Sequence, residues 1–528
     1  AAGAAWFLKE AAPVFWEGQL FCWVNNSLHQ WDLGGTAPGG FNPAAPDIYY
    51  ETRCIPPVKI VEGDILRKDI EEEYLRTSRM PDLVALDLRA QTAGCRFGVE
   101  AIKGLLNRYG APTVKGVMYK IQNDSEKAFL ERLSTIPDGT WSEEGYIEMS
   151  LPGDRKIYKA CMNLTKKENR LIFDNYGTDP QIGCINCTLV GWRGAIASMI
   201  SSQFLFDQMF ALAGALKYIE FKGEPGTLSC ANYPAAVSGS PPGILLQSIS
   251  MAGTVISKML LSSQDRELQK EAQSSFGSTI FPILGLSGID QRGSTYATFL
   301  LDPCFAALGA FSNRDGVNTG GWPWDLQSTA PNVEENELFY PILYLWRREL
   351  PNSGGAGRYR GGNSGELCYI THMTEEIHNT HVGGQTVAPA PAIGGGYPGA
   401  TNMYMIIRNT GIREQLKKPG KIPADINEIG GEKEIVSARM LGLQFGKDDV
   451  FLMRWGGAGG FGDPLDREPE KVAEDVKGGH ITTDNAEKYY GVVIDKETSE
   501  ADPNKTAELR RAMINDRLLK GKKMGGGK

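Results

Sequence analysis

Residues 14–35 read VFWEGQLFCWVNNSLHQWDLGG. Apolar and polar residues alternate through the first part of this stretch, with many aromatics, and Glu17-Gly18 interrupts the alternation as a turn does. The pattern predicts a β-hairpin. His29 follows where the second strand ends, which is a common position for functional side chains because a rigid strand aims the loop after it.

The chain beyond the hairpin mixes helices and strands in no regular βαβ order. The predicted fold class is therefore α+β, a large multi-layer mixed α/β chain with extensive Gly-rich loops. The patterns predict helices over residues 63–80, 82–109, 127–136, 192–215 and 242–263, and strands over residues 141–151, 156–167 and 169–177.

The length of 528 residues exceeds one simple core, so we expect two to four domains or one large domain with insertions. The basic end, LLKGKKMGGGK, is interpreted as a flexible, solvated tail. We divide the chain into a hairpin and helical region with a candidate metal loop (1–140), a mixed β/α region (141–335), a β-rich region with glycine turns (336–465) and a C-terminal helical segment with the tail (466–528).

The composition and net charge indicate which kinds of molecule the chain can bind. Hydrophobic residues make up 41% and charged residues 22% of the chain, as in ordinary globular proteins, and the formal net charge is −8. A nucleic-acid-binding chain needs a basic face, so no nucleic-acid partner is expected. The 63 glycines often stand in pairs and triplets among aromatic residues, which favours ordered turns over low complexity.

The cysteines and the most apolar stretch indicate a cytoplasmic protein without a membrane span. Nine cysteines, an odd and scattered set, are typical of a reduced intracellular chain. Residues 243–261, GILLQSISMAGTVISKMLL, contain Gln247 and Lys258 among their apolar residues. This stretch is interpreted as a buried helix.

His29 and Asp32 form the first candidate site. An imidazole and a carboxylate are good ligands for Zn²⁺ or Mn²⁺, and further ligands can come from distant segments. Glu51 is the nearest additional carboxylate able to converge on them. His29 could also act as a general base, and the structural alternative is a loop histidine hydrogen-bonded to Asp32.

Three other motifs carry weaker signals. The sequence HMTEEIHNTH (372–381) holds three of the five histidines and suggests a second metal cluster or polar loop residues. GCINC (183–187) is a lone CxxC, most simply two small buried cysteines. GGAGGFGDP (456–464) is interpreted as a structural turn because no helix opens directly after it. The chain has neither a P-loop nor a GxSxG motif.

The C-terminal stretch WGGAGGFGDPLDREPEKVAEDVKGGHITTDNAEKYYGVVID (455–495) resembles the signature of the hydantoinase B / 5-oxoprolinase family. PNSGGAGRYRGGNSGE (351–366), YETRCIPPVKI (50–60), LDLRAQTAGCR (86–96) and LHQWDLGG stand in the family's order. FWEGQLFCWV (15–24) and DPLDREPEKVAEDVKGG (463–479) are similar to its ketone carboxylase branch, the acetone and acetophenone carboxylases.

This resemblance implies a function. The chain would be the large hydantoinase-B-like subunit of an ATP-dependent ketone carboxylase, coupling a ketone to bicarbonate through phosphorylated intermediates. His29 and Asp32 would hold a divalent metal, manganese or zinc, with Glu51, chosen from its position in the sequence, as the candidate third ligand. Trp23 and Trp31 would shape a dry pocket. ATP and Mg²⁺ would bind an actin-fold, hydantoinase-A-like ATPase partner, alongside a possible small third subunit.

Two other functions remain open. One is a subunit of an ATP-dependent cyclic amide hydrolase of the hydantoinase or 5-oxoprolinase kind. Many such relatives carry two adjacent histidines where this chain has Leu28-His29, which favours the carboxylase. The other is a non-catalytic scaffold subunit whose Gly-rich loops form assembly surfaces.

Overall fold

The structure is a computed structural model that describes residues 7–30, 32–37, 42–208, 212–280, 282–322, 331–418, 422–495 and 497–524. Across these residues helices and several separate sheets are mixed, which confirms the predicted α+β class. The predicted domain boundaries stay a prediction.

A long hairpin and three helices build the N-terminal part. The elements are β1 (Phe7–Trp16), β2 (Gln19–His29), β3 (Val61–Glu62), β4 (Ile65–Leu66), α1 (Lys68–Leu75), α2 (Pro81–Tyr109) and α3 (Ala111–Ser134). The predicted hairpin is confirmed, with Glu17 and Gly18 at positive φ in its turn. Helix α2 packs against both strands and fixes the direction in which β2 ends.

Two helix predictions in this part need correction. The helix expected over residues 63–80 is a small hairpin followed by the shorter α1, because Gly63 and Asp64 take positive φ and turn the chain. The helix expected from residue 127 begins at Ala111 instead. Only the end of α3 buries side chains, so its first half carries no apolar periodicity to reveal it.

The same part keeps a set of large apolar side chains exposed, which we call the hairpin face. Large side chains that most proteins bury stand on β1, β2, α2 and α3 with about half or more of their surface exposed. They are Phe15, Leu20, Trp23, Phe97, Tyr109, Val117 and Tyr119.

The middle of the chain is a four-stranded sheet covered by helices. Its elements are β5 (Gly139–Glu148), β6 (Ile157–Lys167), β7 (Arg170–Asp174), α4 (Leu189–Met199), α5 (Ala213–Leu216), β8 (Ile219–Lys222), α6 (Leu246–Leu261) and α7 (Arg266–Lys270). The sheet order is β5-β6-β7-β8, with β8 parallel to β7. The strands confirm the prediction, whereas the helix expected over 192–215 ends at a π-helical turn, Ile200–Phe204.

Helix α6 lies at the centre of the largest core. Residues Pro241–Leu261 are long and apolar enough to cross a membrane by length and composition, but 83% of that apolar window is buried inside the fold. It packs against α4, β5 and β6. The prediction of a buried core helix is confirmed.

Two facing sheets make up the next part. The elements are β9 (Ile283–Ile289), β10 (Thr295–Leu300), α8 (Val333–Phe339), β11 (Ile342–Glu349), β12 (Gly365–Thr371), β13 (Glu376–Val382), β14 (Met403–Arg408), α9 (Ile412–Leu416), β15 (Glu432–Ile435), β16 (Arg439–Gly446) and β17 (Val450–Arg454). One sheet has the order β10-β9-β13-β16 and the other β11-β12-β17-β14-β15. Their inner faces share one hydrophobic core, as in a β-sandwich.

Three helices close the chain: α10 (Pro469–Lys477), α11 (Thr483–Tyr490) and α12 (Pro503–Met524). The segment 456–464 before them opens no helix directly, as predicted. The expected flexible tail needs correction, because α12 continues through its first residues to Met524.

Candidate functional site

The loop that begins at His29 is fixed by helix α2. Asn26, near the end of β2, donates to the carbonyl oxygen of Gln91 at 3.2 Å, and the Gln91 amide donates to the Asn26 carbonyl at 3.1 Å. Strand β2 ends at His29 as the sequence predicts. The imidazole keeps an exposed surface, while desolvation by the surrounding chain lowers the pKa of His29. His29 is therefore mostly neutral near pH 7.

Asp32 is buried, and Arg79 neutralises it. The Arg79 guanidinium lies 3.0 Å from Asp32 Oδ2, and the Gly34 amide donates to Oδ1 at 2.8 Å. Arg79 also donates to the Gly35 carbonyl at 2.6 Å. The two glycines have positive φ, and a Cβ on Gly34 would collide with the carbonyl oxygen of Thr77. The DLGG turn is therefore a tight, charge-neutralised structure.

Glu51 belongs to a neighbouring segment but is directed at a different part of the chain. The segment itself contacts the loop, since the Thr52 hydroxyl donates to the Gly34 carbonyl at 3.3 Å. Glu51 Oε1 accepts hydrogen bonds from the amides of Val237 and Ser238 at 2.6 and 2.5 Å. Burial raises the pKa of Glu51, which favours the neutral carboxyl. The side chain thus connects the N-terminal loop to the middle of the chain.

These contacts leave the three proposed metal ligands in separate roles. No three His, Cys, Asp or Glu side chains among the described residues form a group able to hold a metal ion. Asp32 is occupied by Arg79 and Glu51 by main-chain amides. The described donor set therefore does not by itself fit a divalent metal, which prefers three or more such ligands. Metal binding by His29, Asp32 and Glu51 stays a prediction.

The described residues do not place Trp23 and Trp31 together in a pocket at this loop. Trp23 exposes 56% of its surface on the hairpin, so this chain alone does not enclose it. Trp31 lies outside the described residues. The dry pocket stays a prediction.

The histidines of HMTEEIHNTH do not assemble into a cluster among the described residues. His378 is exposed beside Glu376 on β13, with 3.7 Å between Nε2 and Oε1. His381 is fully buried and stacks on Tyr404 with 5.2 Å between ring centroids. Its Nδ1 lies 3.2 Å from the Ser437 carbonyl, and burial lowers the pKa of His381 to about 4. It is a neutral histidine of the sandwich core.

The CxxC pair is buried, as the structural interpretation predicted. Cys184 and Cys187 are free and fully buried, and burial raises the pKa of both thiols. Cys184 Sγ lies 3.9 Å from a guanidinium nitrogen of Arg439.

Sequence reasoning missed two arginines of this region. Arg79, which neutralises Asp32, stands 47 residues away from it in the sequence. Arg439, at the start of β16, is 1% exposed. An isolated arginine inside a strand pattern carries no signal of its own, because its burial depends on segments far away in the sequence.

Comparison with known proteins places the chain in a family. The Hydantoinase B/oxoprolinase family model matches residues 10–464. The chain belongs to this family. It is also similar over 98% of its length to the acetophenone carboxylase delta subunit of Aromatoleum aromaticum, with 27% identity and 79% of that protein covered.

Other members of the Hydantoinase B/oxoprolinase family are similar to a comparable degree. The caprolactamase subunit beta of Pseudomonas jessenii is 27% identical over 92% of this chain and 79% of that protein. A nucleotide-free structure of acetone carboxylase shares the fold with a TM-score of 0.87, at 24% identity, over 97% of this chain and 70% of that one. The chain is thus similar, at the same identity, to a subunit of a carboxylase and to a subunit of a caprolactamase.

Proposed function

We propose that this chain is the hydantoinase-B-like subunit of an ATP-dependent ketone carboxylase. The observation that carries the proposal is the similarity to the acetophenone carboxylase delta subunit, which extends over 98% of this chain. The fold shared with acetone carboxylase is consistent with it. The partner would be an actin-fold ATPase subunit that binds ATP and Mg²⁺, with a possible small third subunit, in the cytoplasm.

The reaction needs a proton acceptor near the ketone. Partner-bound ATP would convert bicarbonate to carboxy-phosphate, which loses phosphate to give CO₂. A base would take the proton from the carbon beside the ketone carbonyl, and that carbon would then bond to the carbon of CO₂. His29 is the titratable side chain of the loop that keeps an exposed surface at the end of a rigid strand, so we assign this step to it.

The Asp32–Arg79 pair would hold the base in place. Arg79 bonds both the Asp32 carboxylate and the Gly35 carbonyl, so the loop after His29 has little freedom to move. Holding a catalytic group in one geometry contributes to rate without touching the substrate. Asp32 and Arg79 are therefore positioning residues in this proposal.

A divalent metal at the loop remains a second proposal for His29. With a metal bound, His29 and Asp32 would be ligands only after Arg79 had released Asp32. Metal analysis of the purified complex, beside the same complex with His29→Ala, tests it. One ion per chain that disappears in the variant would support the ligand role, and equal metal content in both would contradict it.

Isotope fixation tests the carboxylase proposal. The complex of this chain with its ATPase partner is given ATP, ¹⁴C-labelled bicarbonate and acetone or acetophenone, and acid-stable label is counted. Parallel reactions contain hydantoin, 5-oxoproline or caprolactam and are scored for ring opening. We expect ATP-dependent fixation with a ketone. Ring opening of a lactam with no label fixed would overturn the proposal.

A matched pair of variants tests His29. His29→Gln should lower the rate of fixation by about 100-fold or more, since general base catalysis typically contributes that much. His378→Gln is the control, because His378 is also an exposed histidine and lies on β13. Equal activity of the two variants would remove His29 from the reaction.

The amide hydrolase alternative rests on a specific observation as well. The caprolactamase subunit beta matches this chain with the same identity of 27%, over 92% of its length. In that case activated water would attack a lactam carbonyl, and no label from bicarbonate would be fixed with a ketone. A complex inactive in both arms, with intact ATP hydrolysis by the partner, would favour the scaffold function.

A further inference from the structure

Arg439 is a buried cation without a carboxylate partner. It begins β16 opposite Val382 of β13 and is 1% exposed. Its Nη2 donates to the Pro242 carbonyl at 3.3 Å and its Nη1 lies 3.9 Å from Cys184 Sγ, while Nε has no partner among the described protein groups. No carboxylate oxygen of the described residues forms an ion pair with it. A guanidinium has five N–H donors, so most of its capacity is unused.

Two carboxylates that act electrostatically on Arg439, Glu148 and Asp154, already accept hydrogen bonds from other donors. Glu148 accepts from the amides of Thr386, Val387 and Ala388 and from the Thr386 hydroxyl, at 2.5–2.9 Å. Glu148 therefore acts on Arg439 only at long range.

The second nearby carboxylate, Asp154, is occupied in the same way. It accepts from the amide and hydroxyl of Ser150, the Tyr158 hydroxyl and the Lys156 amide, at 2.7–3.0 Å. Neither acidic group thus neutralises Arg439 by direct contact.

The neighbouring thiol does not neutralise Arg439 either. Burial raises the pKa of Cys184, so the thiol form prevails near pH 7. Its Sγ lies 3.4 Å from the Pro43 carbonyl and 3.5 Å from the Ser150 carbonyl, to which a thiol donates. A neutral donor of this kind cannot balance a buried positive charge.

The loop 237–242, which contacts Arg439 through Pro242, carries a further unsatisfied group. Gly239 lies against Cys184, since its amide donates to the Cys184 carbonyl at 3.0 Å. Pro242 bonds Arg439. Between them Ser240 is fully buried, and its hydroxyl has no partner among the described protein groups. Buried polar groups are normally hydrogen-bonded, so an unsatisfied hydroxyl and guanidinium beside one loop point to a ligand.

We propose that Arg439 and Ser240 form a buried binding site for a small planar oxyanion, which in the carboxylase reaction is bicarbonate. The planar N–H array of a guanidinium matches the planar oxygens of bicarbonate or a carboxylate. A hydroxyl can donate to a third oxygen. The bicarbonate identity rests on the proposed function, whereas oxyanion binding itself does not.

The position of the site joins distant segments of the chain. It lies where the middle sheet, the loop 237–242 and the β-sandwich meet, and Glu51 fixes that loop from the N-terminal side through Val237 and Ser238. One bound anion would therefore contact elements from several parts of the chain.

A direct binding measurement tests the site without requiring any reaction. ¹³C NMR of labelled bicarbonate is recorded with the purified complex, and separate titrations use acetate and inorganic phosphate. We expect bicarbonate and acetate to bind, and phosphate, with which a guanidinium also pairs, shows whether the site accepts a tetrahedral anion. A wild-type complex that binds none of the three anions overturns the proposal.

Variants identify the residues. Arg439→Lys keeps the charge but removes the planar donors and should weaken bicarbonate binding at least tenfold, and Ser240→Ala should weaken it by a smaller factor. Arg360→Lys is the matched control, because Arg360 is also buried but pairs with Asp475 at 3.4 Å. Unchanged binding in a folded Arg439→Lys complex overturns the site. If Arg439→Lys fails to fold, unchanged binding in Ser240→Ala does so.

Kinetics separate this proposal from the function on which it rests. In a carboxylase, Arg439→Lys should raise the KM for bicarbonate at least tenfold and leave the KM for the ketone within twofold. The complex could instead open lactams and still bind an anion in a way that depends on Arg439. That result would support the oxyanion site and contradict only bicarbonate as its ligand. A bicarbonate KM that is unchanged in a folded Arg439→Lys carboxylase contradicts the assignment.

Discussion

Two arginines, Arg79 and Arg439, differ in whether a carboxylate of the chain neutralises their charge. Arg79 reaches a buried carboxylate, Asp32, and the pair forms a structural clamp on the loop after His29. Arg439 is more deeply buried, yet the carboxylates near it are bonded to other donors. A charge that the chain neutralises itself stabilises a local structure, whereas one that it leaves unpaired at depth indicates a ligand. The predictions below test this distinction.

The largest loss of stability is expected at Glu148, a carboxylate that does not pair with Arg439. Glu148→Ala would leave the amides of Thr386, Val387 and Ala388 without their acceptor in a partly buried place. Each such group costs about 1–3 kcal/mol, so we expect a loss of about 3–5 kcal/mol in unfolding free energy.

Urea denaturation of the purified protein measures this change. Glu148→Gln is the control, since its amide oxygen can still accept, and it should lose clearly less stability than Glu148→Ala. If Glu148→Ala cost nothing, the carboxylate would be free to pair with Arg439, and the contrast between the two arginines would fail.

Lowering the pH should test His381, a buried group that, unlike an arginine, can lose its proton and stay neutral in the fold. Its pKa is about 4 in the fold against an ordinary value of 6.5. The folded pKa is the lower one, so its contribution to stability is present above pH 6.5 and is lost as the pH falls through about 4. The shift corresponds to about 3 kcal/mol.

Stability measured from pH 7 to pH 4 should therefore fall less steeply in His381→Phe than in the unmodified chain. Parallel curves would mean that the imidazole is protonated in the fold and finds a partner there. His378→Phe provides the comparison, because His378 is exposed.

Breaking the Asp32–Arg79 pair should lower the stability of the loop after His29 by a moderate amount. Asp32→Ala removes the acceptor of the Gly34 amide and the partner of Arg79. Because Arg79 is 43% exposed and can return to water, we expect a loss of about 2 kcal/mol rather than the larger cost of a fully buried pair.

Hydrogen exchange at residues 32–37 reads this loss directly, as faster exchange of the Gly34 amide. Glu73→Ala breaks the exposed Arg53–Glu73 pair and should change stability by less than about 1 kcal/mol. Equal effects in both variants would mean that burial of Asp32 contributes nothing.

The smallest effect on stability is expected at Arg439 itself. Arg439→Met removes an unpaired buried charge, so without anion the unfolding free energy should change by less than about 1 kcal/mol. With bicarbonate at tenfold its Kd, the unmodified chain should gain about 1.4 kcal/mol, and the variant should gain none. Melting curves with and without bicarbonate make the comparison, and a large loss without anion would show that Arg439 is a structural group.

Local patterns predicted the elements whose determinants are local. The hairpin, α2, the strands of the middle sheet and the core helix α6 follow from alternation, turn residues and apolar runs. The first half of α3 was not predicted from the sequence because it buries no apolar stripe. The α+β class and the family followed from element order and motif order together.

The candidate site was predictable only in part, because a site is made of long-range contacts. The strand end at His29 follows from periodicity. The pairing of Asp32 with Arg79, and of Glu51 with Val237, joins segments 47 and 186 residues apart. No pattern within one segment encodes such a partner, so a carboxylate chosen as a metal ligand can prove to be held by an arginine or by backbone amides.

The hairpin face has a practical consequence for anyone who expresses this chain. Phe97 exposes 78% of its surface, and Phe15, Trp23 and Tyr119 each expose more than half. Produced without companions, such a chain is expected to self-associate or to precipitate at high concentration, whatever the quality of its core. Under the proposed function, co-expression with the ATPase partner is therefore the sounder route to a preparation that stays dispersed.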